Sequence, residues 1–155
     1  MNKIISEEEC SEAYNRIKNT KNILEAVVLG SVYIENKIDL YICKNLNRSK
    51  YLFDGYFLSY NLKLKIALSL GFIKNGNNIW EDFIPYYIKI GQLRNRFVHN
   101  LNYKLIEEDK RVFDWANKFF SEAGLIRPTI ENLGELEYIK RAMTILMSFA
   151  DFFSN

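Results

Sequence analysis

The sequence predicts an all-α fold, a helical bundle formed by a single domain that spans residues 1–155. Three observations predict it. Apolar residues recur at steps of three, four and seven along several segments, which is the period of a buried helical stripe. No segment shows the sustained polar–apolar alternation of strands joined by hairpin turns. The hydrophobic fraction of 48% and the charged fraction of 26% are typical of one packed globular domain.

Six helices are predicted from this periodicity and from the residues that start and end helices. Residues 6–9 have the form of a capping box, and Ser59 stands where it can cap a helix start. Gly30 lies inside the second helix and allows another helix to approach closely. The predicted helices cover, in order, residues 6 to about 18, 22 to about 46, 59 to 70, 80 to about 99, 107 to about 123 and 130 to about 153, and residues 47–55 are predicted to form a loop.

The basic residues are concentrated in the middle third of the chain. The net charge is +2, but residues 55–106 carry seven basic side chains against two acidic ones. A segment with this excess attracts a phosphate-bearing partner. Alternatively, it forms a solvated face that the acidic C-terminal third neutralises in the folded protein. The basic side chains are Lys63, Lys65, Lys74, Lys89, Arg94, Arg96 and Lys104.

Several classes of protein are disfavoured by the composition. Lys37 and Asp39 interrupt the most apolar segment, residues 23–42, so no membrane span is expected. The N-terminus lacks the basic-then-apolar pattern of a signal peptide, which favours a cytoplasmic protein with Cys10 and Cys43 as reduced thiols. Because the chain has one histidine and no Cys-x-x-Cys, we predict no metal site, and we predict no cofactor.

Residues 92–100, at the end of the predicted fourth helix, form the stretch whose side chains are best suited to catalysis. They contain the single histidine of the chain, two arginines, two asparagines and a glutamine. On a helix, Arg94, Asn95 and His99 fall within about 140° of arc, so one face presents a guanidinium, an amide and an imidazole. The guanidinium suits phosphate, and the imidazole can carry a proton near neutral pH. These groups suit metal-independent cleavage of RNA by its own 2′-hydroxyl.

Such cleavage works best with both a base and an acid, whereas the chain has one histidine. A two-fold dimer would bring two copies of the same patch into one cleft. We therefore predict a homodimer with a composite site in which Arg94, Asn95 and His99 are catalytic. The residues predicted to contact RNA are Arg96, Lys63 and Lys65 for the backbone, with Tyr86, Tyr87 and Tyr103 available to stack on bases.

The same stretch also has a purely structural interpretation. A histidine in the last turn of a helix is favoured because its cation suits the carbonyl end of the helix dipole. The neighbouring arginines can solvate that end or pair with Glu107 and Glu108. Spacing alone does not choose between the two interpretations.

Residues 94–99, called the motif from here on, resemble the Arg-x4–6-His motif of HEPN domains, including the polar residue directly after the arginine. Residues 26–35 are similar to a helix of the mannitol operon repressor-like branch, with a small-residue step and a later acid. Residues 59–73 and 93–99 are similar to the segments that follow in that branch. In order and spacing, the resemblance covers about residues 22–103.

The resemblance implies a four-helix core with additional short helices, dimerising through the face that bears the motif. It implies that Arg94 and His99 form a metal-independent endoribonuclease site, of the kind found in toxins and antiviral defence, with an antitoxin or regulatory protein as a further partner. The mannitol operon repressor-like branch implies the alternative, a non-catalytic transcriptional regulator or protein-binding module. Val98 departs from that branch, which often has alanine there.

Overall fold

The computed structural model describes residues 7–54, 57–73, 83–121 and 129–155, and every regular element within them is a helix. The predicted all-α bundle is confirmed. Within these ranges no helix is long and apolar enough to cross a membrane. The helices are α1 (Glu7–Asn19), α2 (Ile23–Asn45), α3 (Lys50–Phe53), α4 (Tyr60–Ser69), α5 (Phe83–His99), α6 (Glu107–Ser121), α7 (Ile130–Leu133) and α8 (Glu135–Ser154).

Helix α2 is the centre of the bundle, since it packs against α1, α4, α5 and α8. It begins after Asn22, whose side chain accepts a hydrogen bond from the Glu25 backbone N–H at 2.8 Å. This cap satisfies one of the donors that a helix start leaves free. Ile34, Ile38 and Ile42 are fully buried along one side of α2. The helix predicted over residues 22 to about 46 is therefore confirmed.

Aromatic side chains fix the first half of α5 against α6 and α8. The Phe83 ring lies 4.4 Å from the Trp115 ring and 4.3 Å from the Phe149 ring, measured between centroids. One turn later, the buried Tyr87 hydroxyl donates a hydrogen bond to the backbone oxygen of Leu146 at 3.0 Å. Because a helix is stiff, these contacts also set the position of the motif at the other end of α5.

Two helical glycines sit where helices approach one another closely. A Cβ atom on Gly30 would lie 2.3 Å from the terminal methyl carbon of Met143 in α8. A Cβ atom on Gly91 would lie 2.3 Å from the buried Tyr60 ring at the start of α4. The close approach predicted at Gly30 is confirmed, and a second one, at Gly91, holds α4 against α5.

The helices depart from the prediction in two places. Residues 50–53 form the short helix α3 inside the segment that was predicted to be a loop. The predicted last helix is interrupted at Gly134, whose φ of 76° ends α7 before α8 begins. Apolar residues continue with helical spacing across Gly134, so the pattern gives no sign of the break. The capping box at residues 6–9, the helix start at 80 and the helix end at 123 lie wholly or partly outside the described residues.

We expect Gly91→Ala to lower the free energy of unfolding by about 1–3 kcal/mol, because the new methyl group would overlap a buried aromatic ring. Gly30→Ala is the matched control. There the overlapping atom is the end of a flexible methionine side chain, and alanine favours a helix over glycine by about 1 kcal/mol. Urea unfolding of both variants measures the difference. An equal loss of stability in the two variants would contradict this account of the α4–α5 contact.

Candidate functional site

The motif occupies the last turns of α5, and the helix ends directly after it. The Asn100 N–H donates to the Arg96 backbone oxygen at 2.9 Å, and the Asn102 N–H then donates to the Asn100 side-chain oxygen at 3.1 Å. The end predicted at this position is confirmed. Because residues 94–99 are helical throughout, Arg94, Asn95 and His99 share the predicted arc.

Two of the three predicted catalytic side chains are open to a ligand. Asn95 and His99 are exposed, and neither makes a side-chain hydrogen bond to any residue that the structure describes. The Arg94 side chain is 22% exposed. On the other side of the helix, Leu93 and Phe97 are buried in the core. The motif therefore presents an amide and an imidazole to the outside, with a partly covered guanidinium beside them.

Arg94 is held in place by Glu35, a residue of α2 that lies 59 positions earlier in the chain. The guanidinium Nη1 donates to Glu35 Oε2, and the other carboxylate oxygen, Oε1, accepts a hydrogen bond from Lys63 at 2.8 Å. Both oxygens of Glu35 are therefore occupied. A guanidinium has five N–H donors, so Arg94 keeps further donors for a phosphate. The HEPN resemblance includes an acid at position 35, but the sequence alone gave that acid no role.

Lys63 is enclosed by two carboxylates and is not a free cation. Its ammonium group lies 2.8 Å from Glu35 and 2.8 Å from Asp39, and its side chain is 12% exposed. Burial opposes the charged form, but hydrogen bonds to Asp39 and Glu35 outweigh burial and raise the pKa of Lys63. The charge that was predicted to steer RNA is thus balanced inside the chain. Lys65 is exposed and has no partner within the described ranges, so it remains available.

Arg96 points to a different network at the start of α6. Its Nη1 atom lies 2.9 Å from Asp109 Oδ1 and 3.0 Å from the Tyr103 hydroxyl. The Tyr103 hydroxyl and the Lys89 ammonium also donate to Asp109, whose side chain is fully buried. Arg96 is therefore ion-paired within the fold, as the structural interpretation expected, but the predicted partners Glu107 and Glu108 are wrong and the partner is Asp109. The Arg96 side chain is nevertheless 40% exposed, so its remaining N–H donors stay open to an RNA phosphate.

The tyrosines near the motif are engaged within the fold. Tyr87 is fully buried, so the prediction that it could stack on a base is wrong. Tyr86 already stacks on Trp115, with ring centroids 4.1 Å apart and an interplanar angle of 17°. Tyr103 lies edge-on to the Phe97 ring at 5.4 Å. None of the three is a free stacking platform beside the motif.

The positive charge of the middle third is largely balanced by carboxylates. Carboxylates of α2 and α6 pair with four of its basic side chains: Lys63, Lys89, Arg94 and Arg96. Lys65 and Lys104 are exposed, and Lys74 lies outside the described residues. The interpretation as a neutralised face is therefore closer to the structure than a continuous basic surface. The acids come from the central helix as well as from the C-terminal third.

Exposed apolar side chains adjoin the motif. Val98 is 54% exposed, and Leu101, two residues after His99, is 77% exposed. Across the described residues, no group of three or more histidine, cysteine or acidic side chains is placed to hold a metal ion. The surface around the motif thus combines uncharged polar groups, one imidazole, apolar side chains and two partly exposed guanidinium groups.

We expect Asp109→Asn to destabilise the protein at neutral pH by about 1–3 kcal/mol, since it weakens a buried hydrogen-bonded network. Burial favours the neutral acid, but hydrogen bonds from Tyr103, Lys89 and the Ile106 N–H lower the pKa of Asp109 below its ordinary value. A carboxyl group of this kind stabilises the fold above its unfolded pKa of about 3.9. That stabilisation disappears as the pH falls through the lower, folded pKa.

The difference in unfolding free energy between the wild type and Asp109→Asn should therefore be largest at neutral pH and decrease below about pH 4. Urea unfolding over a pH series measures it. A difference that stays constant as the pH falls would show that the charge of Asp109 does not contribute.

Comparison with known proteins finds no match for this chain: no family model, no curated protein and no solved structure is significantly similar to it. Its function is therefore inferred from the geometry of the motif and of the side chains that hold it.

Proposed function

We propose that this protein is a metal-independent endoribonuclease of the HEPN type, which cleaves RNA at a composite site formed by two copies of the chain. One observation carries the proposal. Arg94, fixed by Glu35, lies on the same helical face as the exposed Asn95 and His99, whose side chains have no hydrogen-bond partner among the residues that the structure describes. A held guanidinium beside a free imidazole suits the binding of phosphate together with proton transfer.

In the proposed reaction, the 2′-oxygen of a nucleotide attacks the adjacent phosphorus. His99 of one copy accepts the 2′-hydroxyl proton as the new O–P bond forms. The bond from phosphorus to the 5′-oxygen breaks, and the protonated His99 of the other copy donates its proton to that oxygen. The products are a 2′,3′-cyclic phosphate and a 5′-hydroxyl end. Arg94 stabilises the charge on the phosphate, and Asn95 orients an imidazole or a phosphate oxygen.

Glu35 acts as a positioning residue in this proposal. An unrestrained arginine side chain would lose rotamer freedom when it binds phosphate. The ion pair with Glu35 restrains the guanidinium before substrate arrives, so less entropy is lost in the complex. Lys63 occupies the second oxygen of Glu35 and holds that carboxylate in turn.

The apolar side chains beside the motif support the composite site. Val98 and Leu101 are exposed at the end of α5, where an interface between two copies would remove their apolar area from water. A two-fold axis next to them would bring both copies of His99 into one cleft. On this proposal the enzyme is a cytoplasmic RNA-cleaving toxin or defence factor, held in check by an antitoxin or other regulatory protein.

The same apolar side chains favour a second candidate function. A non-catalytic regulator of the mannitol operon repressor-like type, or a protein-binding module, would bury Val98 and Leu101 against a protein partner. The motif would then hold the assembly together through hydrogen bonds instead of reacting with RNA.

Cleavage of a mixed-sequence RNA in excess EDTA tests the enzyme. We expect the wild type to produce cyclic-phosphate ends. His99→Ala should lower the rate by about 100- to 10,000-fold through loss of proton transfer. Arg94→Ala should lower it by about 100- to 1,000-fold through loss of phosphate stabilisation. Neither change should alter the helical content measured by circular dichroism.

Arg141→Ala is the matched control, because Arg141 is an exposed arginine on α8, outside the motif. Its rate should equal that of the wild type. Equal cleavage by the wild type and His99→Ala would identify a contaminating nuclease and remove the support for the site.

The two candidate functions also predict different oligomeric states for the Arg94→Ala variant. If the motif is catalytic, the variant should lose cleavage and keep the dimer, whose contacts include Val98 and Leu101. If the motif is a hydrogen-bonded interface, the dimer should weaken as well. Analytical ultracentrifugation over a concentration series measures this. A wild type that stays monomeric at the concentrations used for cleavage would contradict the composite site.

A further inference from the structure

An exposed surface on α3, on α4 and on the residues beside them combines open aromatic rings with unpaired positive charge. Phe57 is 94% exposed and Tyr51 is 64% exposed. They are the only aromatic residues among the exposed large hydrophobic side chains of α3, α4 and the described residues beside them. We call the set of Arg48, Lys50, Tyr51, Phe57 and Lys65 the α3–α4 surface.

The charges on this surface are nearly all of one sign. Between residues 44 and 73, the exposed charged side chains that the structure describes are Lys44, Arg48, Lys50 and Lys65 against Asp54 alone. Arg48 and Lys65 pair with no carboxylate in the described ranges, and the Lys50 ammonium lies 5.2 Å from the centroid of the Tyr51 ring. Positive charge therefore lies directly beside an open aromatic ring.

A chain of contacts connects helix α3 to the motif. The Phe53 ring of α3 lies 6.0 Å from the ammonium group of Lys63 on α4. Lys63 binds one oxygen of Glu35, and Arg94 binds the other. Two side chains, Glu35 and Lys63, thus lie between the guanidinium of the motif and the Phe53 ring of α3.

We propose that the α3–α4 surface binds single-stranded RNA and delivers it to the motif, with bases stacked on Tyr51 and Phe57 and phosphates bound by Arg48, Lys50 and Lys65. Proteins that track single strands combine a basic surface with aromatic side chains, since every base has a face that can stack. Unlike Lys63, whose charge is balanced by Glu35 and Asp39, the basic side chains of this surface pair with no carboxylate among the described residues. The inference deepens the proposed nuclease function and rests on it.

Binding of a non-cleavable strand tests the surface separately from catalysis. The probe is a fluorescent 2′-O-methyl oligouridine of about twelve nucleotides, which has no 2′-hydroxyl to attack. Its anisotropy should rise on binding to the wild type. Phe57→Leu and Tyr51→Leu should each weaken binding by about ten-fold, because leucine keeps apolar bulk and loses the stacking face.

Two substitutions serve as controls for the rings. Tyr51→Phe keeps the stacking face and should bind as the wild type does. Leu133→Ala removes an exposed apolar side chain on α7 and should also have no effect. If Phe57→Leu and Tyr51→Leu bind the strand as tightly as the wild type, the surface is not a stacking platform and the proposal is overturned.

The salt dependence tests the charges. Replacing Arg48, Lys50 and Lys65 together with alanine should lower the slope of log affinity against log salt concentration by about two, since each phosphate contact on a single strand contributes about 0.7. Arg141→Ala should leave the slope unchanged. An unchanged slope in the triple variant would overturn the proposal, as would equal affinity for a duplex of the same length.

The outcomes separate this inference from the enzyme. If the wild type cleaves RNA and these substitutions leave strand binding unchanged, the nuclease proposal stands and the proposal of an RNA-binding surface is overturned. If strand binding depends on Tyr51 and Phe57 but no RNA is cleaved, the proposal of an RNA-binding surface stands and the nuclease proposal is overturned. Failure of the wild type to bind the strand would discard the surface.

Discussion

The candidate site depends on the ion pairs of the Glu35 carboxylate. This carboxylate lies on α2, the helix at the centre of the bundle, and joins Arg94 of α5 to Lys63 of α4. A carboxylate that is mostly withdrawn from water requires charged partners, and here each oxygen has one. The helix that carries the motif is therefore fixed to the central helix by charge as well as by packing, and the guanidinium is fixed with it.

The two arginines of the motif serve different networks, and this explains what remains exposed. Arg94 turns to α2, whereas Arg96 turns to the buried Asp109 of α6. Held on both flanks, the end of α5 presents Asn95 and His99 to the outside. The free imidazole is thus a consequence of how its neighbours are bound, and the number of unpaired cations near it is small. In our proposal, an RNA ligand draws further positive charge from the α3–α4 surface.

Local features of the fold could be predicted from the sequence because they depend on neighbouring residues. Helical period and capping residues located α2 and α4, and the spacing of the motif placed Arg94, Asn95 and His99 on one face. The interruption at Gly134 could not be seen, since apolar residues continue on both sides of it. The backbone of Gly134 has a φ of 76°, which glycine adopts without strain. The spacing of the apolar residues gives no sign of this conformation.

The partners of the charged side chains could not be predicted because they are distant in sequence. Arg94 meets Glu35 across 59 positions, and Lys63 meets Glu35 across 28. Lys63 and Arg96 both belong to the basic excess of residues 55–106. In the fold, however, each of them pairs with carboxylates of other helices. The sequence likewise predicted stacking rings beside the motif, whereas the exposed rings of Tyr51, Phe57 and Phe152 lie on other parts of the chain.

The composite site is the central claim, and subunit mixing tests it most directly. Wild type and His99→Ala would be refolded together in equal amounts and assayed for cyclic-phosphate ends at constant total protein. If cleavage requires His99 from both copies, only wild-type pairs are active, and the rate should fall to about one quarter of the unmixed wild type. A rate of about one half would show that each copy cleaves independently, which would contradict the composite site.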